Sequence, residues 1–198
     1  MRKTASFTVL AWATLLLAHS SFAAENKWVF RSNALYVDEL IGESEGYGGT
    51  AEFGYVFHQG QVAEHIIGFE TGAMMGDDEE YIPDLGFFVD SDTTLVPLLF
   101  NYTVSSETNN QYGLFYEVGG GIGGFITDLE FSSPFSTVSD SDIVFGGQFF
   151  GRVGYELSDH LGLTGGVRLM FTDNVEVSGI DVGDLSTLAF DIGLKYAF

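Results

Sequence analysis

Leu188-Ala189-Phe190-Asp191-Ile192-Gly193-Leu194-Lys195-Tyr196-Ala197-Phe198 closes the chain with an unbroken alternation. Leu188, Phe190, Ile192, Leu194, Tyr196 and Phe198 share one face of an extended segment; Asp191, Gly193 and Lys195 share the other. Period two is the strand period. The segment is therefore a strand with one greasy face and one small or charged face.

The same pattern recurs upstream. Ala51, Phe53, Tyr55 and Phe57 oppose Thr50, Glu52, Gly54 and His58. Ile143, Phe145, Phe149, Val153 and Tyr155 oppose Gly146, Gln148, Arg152 and Gly154. Leu161, Leu163, Val167, Leu169 and Phe171 oppose Thr164, Gly166 and Arg168. Reading outward from these segments predicts eight strands, over 27–38, 48–58, 64–75, 93–105, 112–125, 143–157, 161–172 and 186–198. They exceed the five or six residues usual in soluble sheets and suit the roughly 9–11 tilted residues that cross a bilayer. Connections at 39–47, 76–92, 126–142 and 173–185 are long, and those at 59–63, 106–111 and 158–160 are short. Long and short connections alternate strictly, so all long loops leave one end and both termini lie at the other. The expected architecture is an all-β, eight-stranded antiparallel up-and-down barrel.

Charge decides which face looks inward. The chain has 28 acidic and 7 basic residues among 198, a formal charge of −21. On the non-greasy face lie four acids, Glu52, Glu70, Glu117 and Asp191, and four bases, Arg31, Arg152, Arg168 and Lys195. A solvated face needs no such balance. A narrow lumen does, because an unpaired buried charge costs several kcal/mol. Ion pairs are expected between Arg31 and Glu52, Glu117 and Arg152, and Arg168 and Asp191. An eight-stranded barrel is just wide enough for side chains to fill. Leu99, Phe115, Phe150 and Met170 should complete the filling and leave no open pore. Trp28, Phe57, Tyr102, Tyr112, Tyr155 and Phe198 gather near the short-turn end and read as an aromatic girdle at the membrane–water interface. Pro97 cannot donate to a ladder and is expected at a bulge near the rim.

The N-terminus reads as an export signal over residues 1–23. Arg2 and Lys3 precede the apolar run Phe7 to Ala18, and Ser21-Phe22-Ala23 has small-x-small spacing. The run is too short for the roughly 20 residues of a spanning helix. The remainder, 24–198, forms the barrel domain. The absence of cysteine excludes disulfides and thiolate metal sites. The acidity excludes nucleic acid as a partner, because polyphosphate repels it. Nineteen phenylalanines argue against disorder.

The last strand also matches a known pattern: polar-x-glycine-x-x-hydrophobic-x-aromatic, filled by Asp191, Gly193, Tyr196 and Phe198. It resembles the C-terminal signature of bacterial outer-membrane barrels. Val96-Pro97-Leu98-Leu99-Phe100-Asn101-Tyr102, followed by Tyr112-Gly113-Leu114-Phe115-Tyr116, also looks like that family. With eight strands and an export signal, the chain resembles the OmpA/OmpX-like, porin-like class of eight-stranded outer-membrane proteins. The resemblance implies the cell outer membrane of a Gram-negative bacterium. It also implies contact with outer-membrane lipid and recognition of the last strand by the barrel assembly machinery. No periplasmic domain follows Phe198, so peptidoglycan anchoring is not expected.

Most acids fall in the long connections: Asp38, Glu39, Glu43 and Glu45; Asp77, Asp78, Glu79, Glu80, Asp84, Asp90 and Asp92; Asp128, Glu130, Asp140 and Asp142; Asp173, Glu176, Asp181 and Asp184. They read as a solvated surface, and Asp77-Asp78-Glu79-Glu80 could hold divalent cations loosely through oxygens. The spacing of an ordered calcium loop is missing. Gly119 to Gly124 satisfies G-x-G-x-x-G but lies in a strand, without the following helix of a dinucleotide site. His58, His65 and His160 lie at the short-turn end with no His-x-Ser motif, so neither a catalytic triad nor a metal site is expected. No cofactor is expected. The composite expectation is a monomeric, non-enzymatic outer-membrane barrel with acidic loops and a structural or surface-interaction role. Its rivals are a secreted lipocalin-like barrel with greasy faces inward, a lipid-modifying enzyme and a narrow channel.

Overall fold

The computed structural model describes residues 28–38, 40, 45–60, 63–82, 87–106, 113–135, 137–177 and 180–198. The expected signal segment 1–23, and with it Lys27, Glu39, Glu43, Asp84 and Tyr112, lies outside them. Eight strands follow one another: β1 (Trp28–Val37), β2 (Gly46–Gln59), β3 (Ala63–Ile82), β4 (Phe87–Ser106), β5 (Leu114–Ser132), β6 (Thr137–Glu156), β7 (Leu161–Val177) and β8 (Ile180–Ala197). Each pairs antiparallel with the next, and β8 pairs with β1 to close the barrel. Trp28 and Phe198 seal that seam: the Trp28 amide donates to the Phe198 carbonyl at 3.0 Å and the Phe198 amide returns the bond at 2.9 Å. Closure leaves no free sheet edge where all eight strands are paired.

Three of the expected long loops are mostly strand. β3 and β4 stay paired from Ala63↔Ser106 up to Ile82↔Phe87. β5 and β6 stay paired from Leu114↔Tyr155 to Ser132↔Thr137, and β7 and β8 pair as far as Val177↔Ile180. The segments 76–92, 126–142 and 173–185 are thus tall hairpins with short tips. Their acids mimic loop composition, yet the ladder continues because its hydrogen bonds belong to the backbone. The wall is also uneven. β6 and β7 are paired only up to Gly146↔Thr172, while β4 and β5 remain paired up to Asp90↔Ser132. A four-stranded sheet, β3 to β6, therefore rises separately from the β7–β8 hairpin.

Pro97 sits in an unbroken register, not in a bulge. It faces Phe125 on β5, and the β3–β4 register is the same at Thr71↔Leu98 and Met74↔Leu95. Pairing lapses between those two positions, so the absent amide interrupts the ladder without adding a residue. Register shifts lie elsewhere: at the short-turn end of β2, between Val56 and His58, and in the β7–β8 hairpin, between Phe171 and Asn174 and between Val175 and Glu176.

The faces point as the charge balance requires. Phe53, Leu163 and Ile192 look outward, with 42%, 42% and 60% of their surface exposed, while Glu117 and Arg152 are buried inside. A lipocalin-like barrel has the opposite polarity. The outward rings also pack on one another; Phe69 and Phe100 meet edge to face with centroids 5.4 Å apart.

The lumen is layered along its axis. The inward residues of β1 rise as Val29, Arg31, Asn33, Leu35 and Val37. Val29, Val56 and Ile66 form a small apolar cluster at the short-turn end. A larger one, including Leu35, Val37, Met74, Leu95, Leu99, Phe125, Leu129 and Met170, fills the opposite half. Leu40 drops into that cluster from the β1–β2 connection. Between them lies the charged layer.

Small residues make room for the filling. A Cβ on Gly154 would overlap the ring of Phe115, a ring that also carries Lys195 Nζ 4.5 Å from its centroid. Gly154→Val should therefore overpack the lumen, at a cost of about 1–3 kcal/mol. The check is the temperature at which the compact gel band of the barrel is lost. An unchanged midpoint would show that Phe115 moves aside freely.

Candidate functional site: the lumen ion network

Strand parity turns all eight charged side chains named above inward, one on each of six strands and two, Asp191 and Lys195, on β8. Seven of them are buried, and Lys195 is partly covered at the short-turn mouth. Arg31 and Glu52 face each other in register, with Nη1 donating to Oε1 at 3.0 Å. Arg31 also reaches across the lumen to Glu117 on β5, with Nη2 to Oε1 at 2.9 Å and Nε to Oε2 at 3.2 Å. Glu117 is the hub. It also takes Lys195 Nζ at 3.0 Å, and Arg152 Nη1 lies 4.0 Å away.

Glu117 and Arg152 are register partners, yet the better partner of Arg152 is Asp191, with Nε donating to Oδ2 at 3.3 Å. The Arg152 guanidinium lies 4.1 Å over the Phe150 ring, a buried cation–π contact. Arg168 and Asp191 meet diagonally rather than level, because Asp191 faces Gly166 in register. Arg168 Nη2 donates to Asp191 Oδ2 at 3.3 Å. Arg168 Nη1 also donates to Glu70, linking β7 to β3.

Two neutral members escape a reading by charge alone. Gln148 Nε2 donates to Glu70 Oε2 at 2.9 Å, and its Oε1 accepts from Arg168 Nη1 at 2.9 Å. Asn101 Nδ2 donates to the same Glu70 oxygen at 2.7 Å. The signal that could have found them is parity: both occupy inward positions, level with each other across Gly121. Together these groups form a charge-balanced disc, closed by Lys195, whose Nζ also donates to Ser105 Oγ at 3.2 Å. Buried charges in this state are held by Coulomb attraction and hydrogen bonds, which offset their desolvation.

At the C-terminus, Asp191 is part of the disc. Gly193 is needed because a Cβ there would strike the Asn33 side chain on β1. Tyr196 and Phe198 pack with their rings tilted, centroids 5.8 Å apart. Of the girdle residues, Trp28 packs on Phe53 at 5.0 Å and on Tyr55 at 4.9 Å. Phe57 lies 6.3 Å from Tyr102, and Tyr155 is exposed.

The acids of Asp77-Asp78-Glu79-Glu80 are spread along β3. Asp77 faces Asp92 on β4, which faces Glu130 on β5. Among the described residues no group of three or more histidines and carboxylates is arranged to hold a metal ion. His58 and His65 are brought together, with ring centroids 5.2 Å apart, while His160 lies in the β6–β7 turn. The Gly119 to Gly124 run lies wholly within β5.

No family model matches the sequence, and no curated protein matches it. Solved structures do match in shape. A major outer membrane protein from Thermus thermophilus superposes with a TM-score of 0.58 at 13% identity, covering 86% of this chain and 99% of that one. Neisserial surface protein A superposes with a TM-score of 0.51 at 11% identity, covering 88% and 98%. At such identities the likeness concerns the path of the backbone. Strand number, antiparallel order, closure and the outward greasy face all agree with it. The chain has the fold of the eight-stranded outer-membrane β-barrels.

Proposed function

We propose that this chain works in the bacterial outer membrane as a monomeric barrel with a structural or surface-interaction role, without an open pore and without catalysis. One observation carries the reading: the lumen is filled by a charge-balanced disc between two apolar clusters. Such a plug leaves no wet path for a solute. The exposed apolar wall suits contact with outer-membrane lipid, and the last strand suits recognition by the barrel assembly machinery through Asp191, Gly193, Tyr196 and Phe198. The tall acidic hairpins then face the exterior, where divalent cations are their natural counterions. Planar bilayers holding the purified protein should show no steady conductance. Sustained ohmic steps would overturn the closed-lumen reading, and recovery of the protein in the soluble periplasm would overturn the membrane reading.

A further inference from the structure

We propose that His58 and His65 together grip the phosphate of a phospholipid headgroup of net negative charge at the short-turn end of the barrel. The proposal rests on the outer-membrane reading above. Its foundation is the bulge in β2. The pairing steps from Val56↔Ile66 to His58↔His65, so Phe57 is the extra residue. Without it His58 would take the opposite face. With it, the two imidazoles stand opposite each other with centroids 5.2 Å apart.

Neighbouring groups orient the pair. Tyr102 Oη lies 2.7 Å from His65 Nδ1, which leaves Nε2 as the nitrogen for a ligand. Phe57 lies 6.1 Å from the His65 ring and 6.3 Å from Tyr102, giving the pair an aromatic wall. Phe57 and Tyr102 belong to the girdle, so the imidazoles sit at headgroup height. The neighbouring carboxylate, Glu64, accepts from Gln59 Nε2 at 3.3 Å and lines the cavity at the barrel mouth.

The charge distribution singles the pair out. Arg31, Arg152, Arg168 and Lys195, all the described lysines and arginines, are directed into the lumen. The described groups outside the lumen that can carry positive charge are therefore His58, His65 and His160. His160 has its Nδ1 3.1 Å from the Ala197 carbonyl oxygen and no second imidazole beside it. Only the β2–β3 pair offers two adjacent ring N–H groups, and a phosphodiester has the oxygens to accept from both.

The test is lipid selectivity. The barrel is reconstituted in phosphatidylcholine vesicles with spin-labelled phosphatidylglycerol or spin-labelled phosphatidylcholine as probe. The wild type should favour the anionic probe by about two- to fivefold, the scale of one exposed charged contact. His58→Ala with His65→Ala should abolish the preference, Tyr102→Phe should reduce it, and His160→Ala should leave it in place. A preference that survives the double variant, or is missing in the wild type, overturns the proposal. Heat-modifiable gel migration of each sample reports insertion separately. A wild-type chain that never inserts would overturn the membrane reading on which the contact rests.

Discussion

Glu117→Ala should destabilise the barrel by about 3–5 kcal/mol, the scale for removing one member of a buried ionic group. The size follows from what the carboxylate leaves behind. Arg31 loses both Glu117 bonds, at 2.9 and 3.2 Å, and Lys195 loses its contact at 3.0 Å. Three cations, Arg31, Arg152 and Lys195, would then share the remaining acids. Glu52→Ala should cost less, because its bond is to Arg31 Nη1, and Arg31 would keep Glu117. Glu117→Gln retains volume and one acceptor and should fall between them. Urea titration of refolded protein, followed by tyrosine and tryptophan fluorescence, measures all three. A loss below about 1 kcal/mol for Glu117→Ala, the range of solvated pairs, would mean that water reaches the disc.

The second large effect lies on the other side of the wall. Ile122→Arg should cost about 2–4 kcal/mol in a bilayer, as charged residues do on a barrel's lipid face. Ile122 has 63% of its surface exposed and lies in register with Phe100 and Gly147. For a barrel in water the same change at so exposed a site should stay within about 0.5 kcal/mol. The two environments therefore predict different results for one substitution. Refolding into vesicles gives the membrane value, and Ile122→Leu controls for shape. A near-zero cost in vesicles would remove lipid from the outer face.

The sequence makes the wall legible wherever the two faces meet different surroundings. From 188 to 198, and again from 143 to 155, lipid on one side and a packed lumen on the other force alternation, and those segments are strands with the expected faces. Above the apolar belt both faces meet water, and the pattern fades. Asp77-Asp78-Glu79-Glu80 therefore reads as loop while the backbone carries β3 on to Ile82. The strand limits miss by several residues there for that reason. Within the lumen, level heights identify neighbours such as Arg31 and Glu52. They do not identify Arg31 and Glu117, whose bond spans the barrel. That contact depends on the reach of an arginine across a narrow tube, which no one-dimensional spacing encodes. The bulge at Phe57 is hidden for a related reason: one inserted residue shifts parity without altering composition.

The inward placement of the basic side chains reaches beyond stability. With guanidinium groups and Lys195 engaged inside, the medium meets a surface whose charge is almost wholly of one sign. Two such molecules drifting together in a membrane would repel each other, over a range of about 10 Å in moderate salt and farther in dilute water. Ionic strength thus becomes a control on crowding: brackish surroundings let the molecules lie close, and fresh water keeps them dispersed.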